Sequence, residues 1–156
     1  MGRKHGYTLT VEWTGNQGTG TSGYKDYTRA HDVRADGKPL LQGSADPAFF
    51  GDASRWNPEE LLVISVSQCH MLTFLWLAQR AGIIVTEYVD EATGTMEEDG
   101  KGGGQFTEIT LRPRAVITDP ARIEQANSLH AEVHKYCFIA RSINFPIHHE
   151  PVATAT

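Results

Sequence analysis

Apolar and polar residues follow three rhythms along this chain. The first has period two. Tyr7, Leu9, Val11 and Trp13 alternate with Thr8, Thr10 and Glu12, which sends the two sets to opposite faces and predicts a half-buried strand over 7–13. Asn16–Gly23 is a glycine-rich turn. A second strand is expected over Tyr24–Val33, ending at the Asp36-Gly37 turn signal, and a short third one over Pro39–Gln42. Ala45–Arg55 reads as an irregular loop.

The second rhythm is one long apolar run. Asn57 can cap a helix, Pro58 suits its first position, and Glu60 stands three residues after the cap, an Asn form of the capping box. The run continues to about Ala81, where Gly82 can close the helix. About 24 residues at ~1.5 Å each give a helix of roughly 36 Å. Leu61–Gln79 carries no formal charge but includes Ser65, Ser67, Gln68, His70 and Thr73. A core helix buried nearly all round is therefore expected, not a membrane span.

The third rhythm is mixed. Ile83–Val89 is rich in β-formers. Thr93–Glu98 and Gln105–Thr118 flank the turn residues Asp99–Gly104 and predict a hairpin. A second helix is expected to start with Asp119 as cap and Pro120 as first residue, with Ile123, Ala126, Leu129, Val133 and Cys137 at helical spacing. Ser142–His148 reads as a last strand. The predicted order is βββ-α-βββ-α-β, a single α+β domain over 1–156 with segregated antiparallel strands.

Composition narrows the function classes. Hydrophobic residues make up 40 % of the 156 and charged residues 21 %, which is an ordinary globular balance. The formal net charge of -5 argues against a nucleic-acid partner. Met1–Tyr7 is polar and lacks the apolar centre of an export signal, so a cytoplasmic location is expected. Two cysteines in that setting do not make a disulfide scaffold.

The chemistry gathers around the long helix. Asn57-Pro58-Glu59-Glu60-Leu61-Leu62 opens it, and Cys69, ten residues after Glu59, sits in Gln68-Cys69-His70. A second cysteine, Cys137, falls in the later helical pattern. Here the chain resembles the OsmC/Ohr family of osmotically inducible and organic-hydroperoxide-resistance proteins. The resemblance rests on the Asn-Pro-Glu-(Glu/Gln)-Leu helix start, the glutamate-to-cysteine spacing, the later second cysteine and the element order. It implies two antiparallel sheets wrapping long central helices in an intertwined homodimer. It also implies a thiol peroxidase of oxidative and osmotic stress. Cys69 attacks an organic hydroperoxide, and Cys137 resolves the sulfenic acid by forming a disulfide. A cellular dithiol, such as a lipoylated protein, re-reduces the pair, and no bound cofactor is needed.

The chemistry fits these residues independently. A thiolate attacks peroxide oxygen, and a second thiol captures the sulfenic acid before it over-oxidises. A buried thiolate needs a nearby cation. By the resemblance this is an arginine held by Glu59, with Arg29 as first candidate and Arg55 as second. Glu59 and Cys69 are separated by about 15 Å along one helix axis, so another strand or a second subunit must bridge them. The other reading of Glu59 is simple complementation of the helix dipole in the first turn. His70 after the attacking cysteine, Phe138 after Cys137 and the long Asp46–Trp56 loop depart from the family pattern. They mark a divergent branch.

Two other readings stand beside this one. His130, His134 and Cys137 are spaced to share a helix face, with Cys69-His70 able to add a ligand, so zinc is an alternative. A non-catalytic protein of the same fold, which binds an apolar ligand or serves as a stress-induced scaffold, is another. Phe49, Phe50, Trp56, Phe74 and Trp76 are candidates for a pocket or for plain core.

Overall fold

Asn57 and Glu60 clasp each other's backbone. The Glu60 amide donates to Asn57 Oδ1 at 2.8 Å and the Asn57 amide to Glu60 Oε2 at 3.1 Å. This reciprocal cap starts helix α1 (Pro58–Arg80) where the sequence predicts it. At the other end Gly82 takes φ of +70°, with Ile83 N–H donating to Ala78 O at 2.8 Å and Gly82 N–H to Gln79 O at 3.0 Å. That is a Schellman stop, which glycine makes without strain. The Arg122 guanidinium adds hydrogen bonds to the Ala81 and Gly82 carbonyls at 2.6 and 3.3 Å.

The computed structural model describes residues 2–156. They form two compact units, one ending at Leu61 and one running from Leu62 to Thr156.

In the N-terminal unit β1 (Thr10–Trp13), β2 (His31–Arg34) and β3 (Leu41–Gly43) form an antiparallel sheet in that order. The register pairs Val11 with Val33 and Val33 with Leu41. β1 begins three residues later than the alternation predicts. All four of its residues are exposed, so the expected half-buried strand is not half-buried within the chain. β2 is also shorter than expected, because Tyr24–Ala30 is irregular. Gly43 sits directly under the His31 ring, where any Cβ would meet Nε2 at 2.2 Å. A turn of 3₁₀ helix over Pro47–Phe49, capped by the Asp46 carboxylate, breaks the predicted loop.

In the C-terminal unit β4 (Val85–Asp90) and β5 (Thr93–Glu98) pair antiparallel with β7 (Pro113–Ile117) and β6 (Gly104–Leu111) respectively. The predicted hairpin is thus the tip of a longer ribbon. Its turn is held by Asp99 Oδ1, which accepts from the amides of Lys101 and Gly103. The ribbon breaks halfway at Arg112-Pro113, since proline offers no N–H to the ladder. There Asp90 accepts from Arg112 N–H at 2.6 Å and from Ser67 Oγ at 2.5 Å, tying α1 to the break.

Helix α2 (Ile123–Val133) follows a 3₁₀ turn over Pro120–Arg122. Asp119 caps that turn, so the helix proper begins later than the sequence predicts. Two strands close the chain where one is expected. β8 (Ile147–His149) joins β6 and β9 (Val152–Ala155) joins β7, both parallel. The α+β class holds, but four strands rather than three lie between the helices, two rather than one follow α2, and there are three three-stranded sheets, two of them mixed rather than wholly antiparallel.

The core lies in this unit. Phe74, Ile109, Leu111, Ile117 and Val133 are fully buried. α1 contributes a single stripe, Val66, His70, Phe74 and Ala78, with a spacing of four. Leu72 and Trp76 on the same helix are exposed, so α1 is not buried all round as predicted. By length and composition alone α1 could cross a membrane.

Candidate functional site

Cys69 lies on α1 one residue before the buried stripe's His70 and is half-buried. Cys137 is 1 % exposed and lies in the turn after α2, four residues past its end, not on the helix as the periodicity predicts. The chain still continues the helical direction, because Cys137 N–H donates to Val133 O at 2.9 Å. Both cysteines are free and pack in one apolar cluster with Phe74 and Ala115, with Cys69 near enough to perturb the Cys137 thiol.

Their surroundings differ. Burial pushes the Cys137 thiol up to about 11, and the neighbouring Cys69 adds to this. The amides of Ala140, 3.4 Å from Sγ, and of Ile139 work in the opposite sense by donating to sulfur. Cys137 is therefore a protonated thiol shut away from solvent at neutral pH, while Cys69 has access to it.

Arg29 is held rigidly. Its guanidinium donates to the carbonyls of Tyr27 and Tyr24, both at 2.8 Å, and lies 4.2 and 4.5 Å from the centres of those two rings. Neither Arg29 nor Glu59 makes an ion pair among the described residues, so the expected Glu59–Arg29 bridge is not made within the chain. Arg55 sits 3.8 Å from Asp32 and 4.0 Å from Asp52.

A histidine cluster lies beside the cysteines, and the sequence pattern does not predict it. His70 Nε2 and His130 Nδ1 share a hydrogen bond of 2.8 Å with their rings nearly parallel. His130 also stacks on Phe74, with ring centres 4.1 Å apart. The His149 ring lies 5.9 Å from that of His70 and 6.4 Å from that of His130. Burial drives His70 down to about 4 and His130 down to about 3, with His149 adding to both shifts and His70 to that of His130. Both are neutral imidazoles at neutral pH. One sequence signal was available: His70 and His130 occupy the apolar stripes of their helices. The zinc alternative is not supported, since no three His, Cys, Asp or Glu side chains among the described residues are placed to hold an ion. His130 turns to His70 rather than to His134 and Cys137.

A cavity of about 450 Å³ opens beside this cluster. Cys137 and the histidines line it, and Cys69 does not. None of the five aromatics predicted as pocket candidates lines it either. Phe74 is core, whereas Phe50, Trp56 and Trp76 are exposed.

A comparison with curated proteins finds no match. Solved structures do match. An OsmC-like protein of unknown function from Vibrio cholerae is 28 % identical, with 96 % of this chain and 100 % of that one covered and a TM-score of 0.84. An organic hydroperoxide resistance protein OsmC from Legionella pneumophila is 16 % identical over 97 % of this chain and 99 % of its own, with a TM-score of 0.68. An organic hydroperoxide resistance protein from Elizabethkingia anophelis is 17 % identical over 99 % and 100 %, with a TM-score of 0.67. At such identities the last two speak for the fold alone. The sequence pattern of the OsmC-like proteins matches residues 51–151, from just before α1 to just before the last strand, and the chain belongs to that family.

Proposed function

We propose that this protein is a thiol peroxidase that reduces organic hydroperoxides to alcohols, with Cys69 attacking and Cys137 resolving. One observation carries the reading: two free cysteines in side-chain contact, one reachable from solvent and one sealed. In the first step the Cys69 thiolate attacks the outer peroxide oxygen. The O–O bond breaks, the alkoxide takes a proton and leaves as alcohol, and Cys69 becomes a sulfenic acid. In the second, the Cys137 sulfur displaces hydroxide from the sulfenic acid. The S–S bond forms, and the thiol proton leaves with the hydroxide as water. A dithiol then reduces the disulfide. The amides of Ile139 and Ala140 steady the charge that develops on Cys137 sulfur.

Names among the fold relatives support the chemistry, since two of them are organic hydroperoxide resistance proteins. The reading also includes a cytoplasmic homodimer in stress defence. Arg29 is its thiolate-favouring cation and Glu59 the anchor of that arginine. Because the two do not pair within the chain, they meet across two copies.

The test is a thiol count by mass after one equivalent of cumene hydroperoxide. Wild type is expected to lose both thiols as an intramolecular disulfide, and Cys137→Ser to hold a trappable sulfenic acid on Cys69. Two unchanged thiols in wild type would sink the peroxidase.

A further inference from the structure

We propose that the cavity on the Cys137 side of the cysteine pair is a binding site for an uncharged small molecule with an apolar body and a single hydroxyl group. Its size falls in the range of small-molecule sites, about 300–1,000 Å³. Its walls are apolar, from Val66, Leu111, Ile143, Phe145 and Ile147.

Charge decides the class of ligand. No Asp, Glu, Lys or Arg lines the cavity, and its polar groups are Cys137 and four histidines, His70, His130, His134 and His149. Two of these imidazoles are kept neutral by burial, so they cannot balance an anion. A carboxylate or phosphate placed here would lose its hydration without gaining a fixed partner charge. A neutral hydroxyl, which both donates and accepts, matches what imidazoles offer.

One atom asks for such a partner. His149 Nδ1 is buried and has no hydrogen bond among the described residues. β8 holds His149 opposite Leu111 in parallel register, and both residues line the cavity. Buried polar atoms of this kind are uncommon and are usually met by a ligand or an ordered water. A hydroxyl on an apolar ring fills both needs at once. Cys69 takes no part in the lining, whereas Cys137 does, so ligand binding can be measured apart from the attack on peroxide.

The probes are 2-naphthol, naphthalene and 2-naphthoate, of closely similar shape and titrated at neutral pH by calorimetry and by naphthol fluorescence. Saturable one-to-one binding of 2-naphthol is expected, with 2-naphthoate at least about tenfold weaker because its charge is buried unpaired. His149→Phe, which removes the orphan nitrogen, is expected to bring 2-naphthol down to the affinity of naphthalene. Ile143→Trp, which fills the cavity, is expected to abolish binding of both. Cys69→Ser is expected to bind as wild type does while losing all reaction with cumene hydroperoxide, which keeps the two readings apart. Absence of saturable 2-naphthol binding to wild type overturns the proposal, and so does equal binding of 2-naphthoate. If Ile143→Trp fails to fold, the probe series on wild type and His149→Phe still decide.

Discussion

Residues 62–156 enclose a core of their own, with Phe74, Ile109, Leu111 and Ile117 all at 0 % exposure, although Leu72 and Trp76 on the outer side of α1 stay exposed. On and just before β1 the apolar side chains stay in the open: Leu9 is 58 %, Val11 61 % and Trp13 44 % exposed. Both regions show clear amphipathic periodicity in sequence. The difference teaches that periodicity records a demand for cover without saying who supplies it. The C-terminal unit meets the demand with its own helices and ribbons. The alternation of β1 meets it only in part among the described residues, where Trp13 packs edge-on against Tyr27 and Val11 stays largely exposed, and apolar faces of that kind commonly mark interfaces. The proposed homodimer would cover it.

The sharpest way to break the comparison is to empty the covered side. Phe74 is wholly buried, stacks on His130 and packs against Cys137. Phe74→Ala should cost about 3–5 kcal/mol, as large aromatic truncations in closed cores do. Urea denaturation followed by circular dichroism measures it. A loss under about 1 kcal/mol would mean that the site is far looser than its packing shows.

Acid tests the same core through its histidines. His70 and His130 titrate near 4 and 3 in the fold, against an ordinary value of 6.5. Between those limits the unfolded chain binds protons that the folded one refuses. Their contribution to stability is therefore complete above pH 6.5 and is lost as pH falls toward 4 and then 3. Each histidine contributes a slope on the order of 1.4 kcal/mol per pH unit inside its window. Melting temperatures between pH 7 and about 4.5 should fall steeply for wild type. A His70→Leu/His130→Phe double variant should show a much flatter profile. Equal slopes would show that other groups govern acid stability.

The two regions also differ in how far the sequence could be read. Both ends of α1 were legible because their signals are local. Asn57 and Glu60 need only each other, and Gly82 needs only its own freedom to take positive φ. The nearness of the two cysteines was expected through the family resemblance, whereas the apolar stripe misplaced Cys137 on a helix that ends at Val133. Tyr24–Ala30 was not. Arg29 takes the Tyr24 and Tyr27 carbonyls for its own hydrogen bonds, a side-chain competition with strand pairing that alternation does not register. The parallel seating of β8 and β9 depends on partners far back in the chain, Ile109 for Ile147 and Ala115 for Ala153. The His70–His130 hydrogen bond spans sixty residues and was equally out of reach of local pattern. Spacing on α2 pointed instead to His134 and Cys137, because it shows a face and not what that face meets.

The smallest expected effect bears on the uncovered side. Val11 pairs with Val33 across β1 and β2, yet its side chain stands largely in solvent. In a dilute, monomeric sample Val11→Ala should change stability by no more than about 0.5 kcal/mol, the usual range for a surface position. Its consequence should lie in self-association, read by sedimentation equilibrium over a range of concentrations. If a second copy covers β1, removing the Val11 methyls takes away part of a shared apolar face, and the dimer dissociates at a higher concentration than wild type. An unchanged association constant would take β1 out of the interface and leave its alternation unexplained. A stability loss of several kcal/mol in the monomer would mean that the chain buries this strand itself, and the contrast between the two regions would collapse.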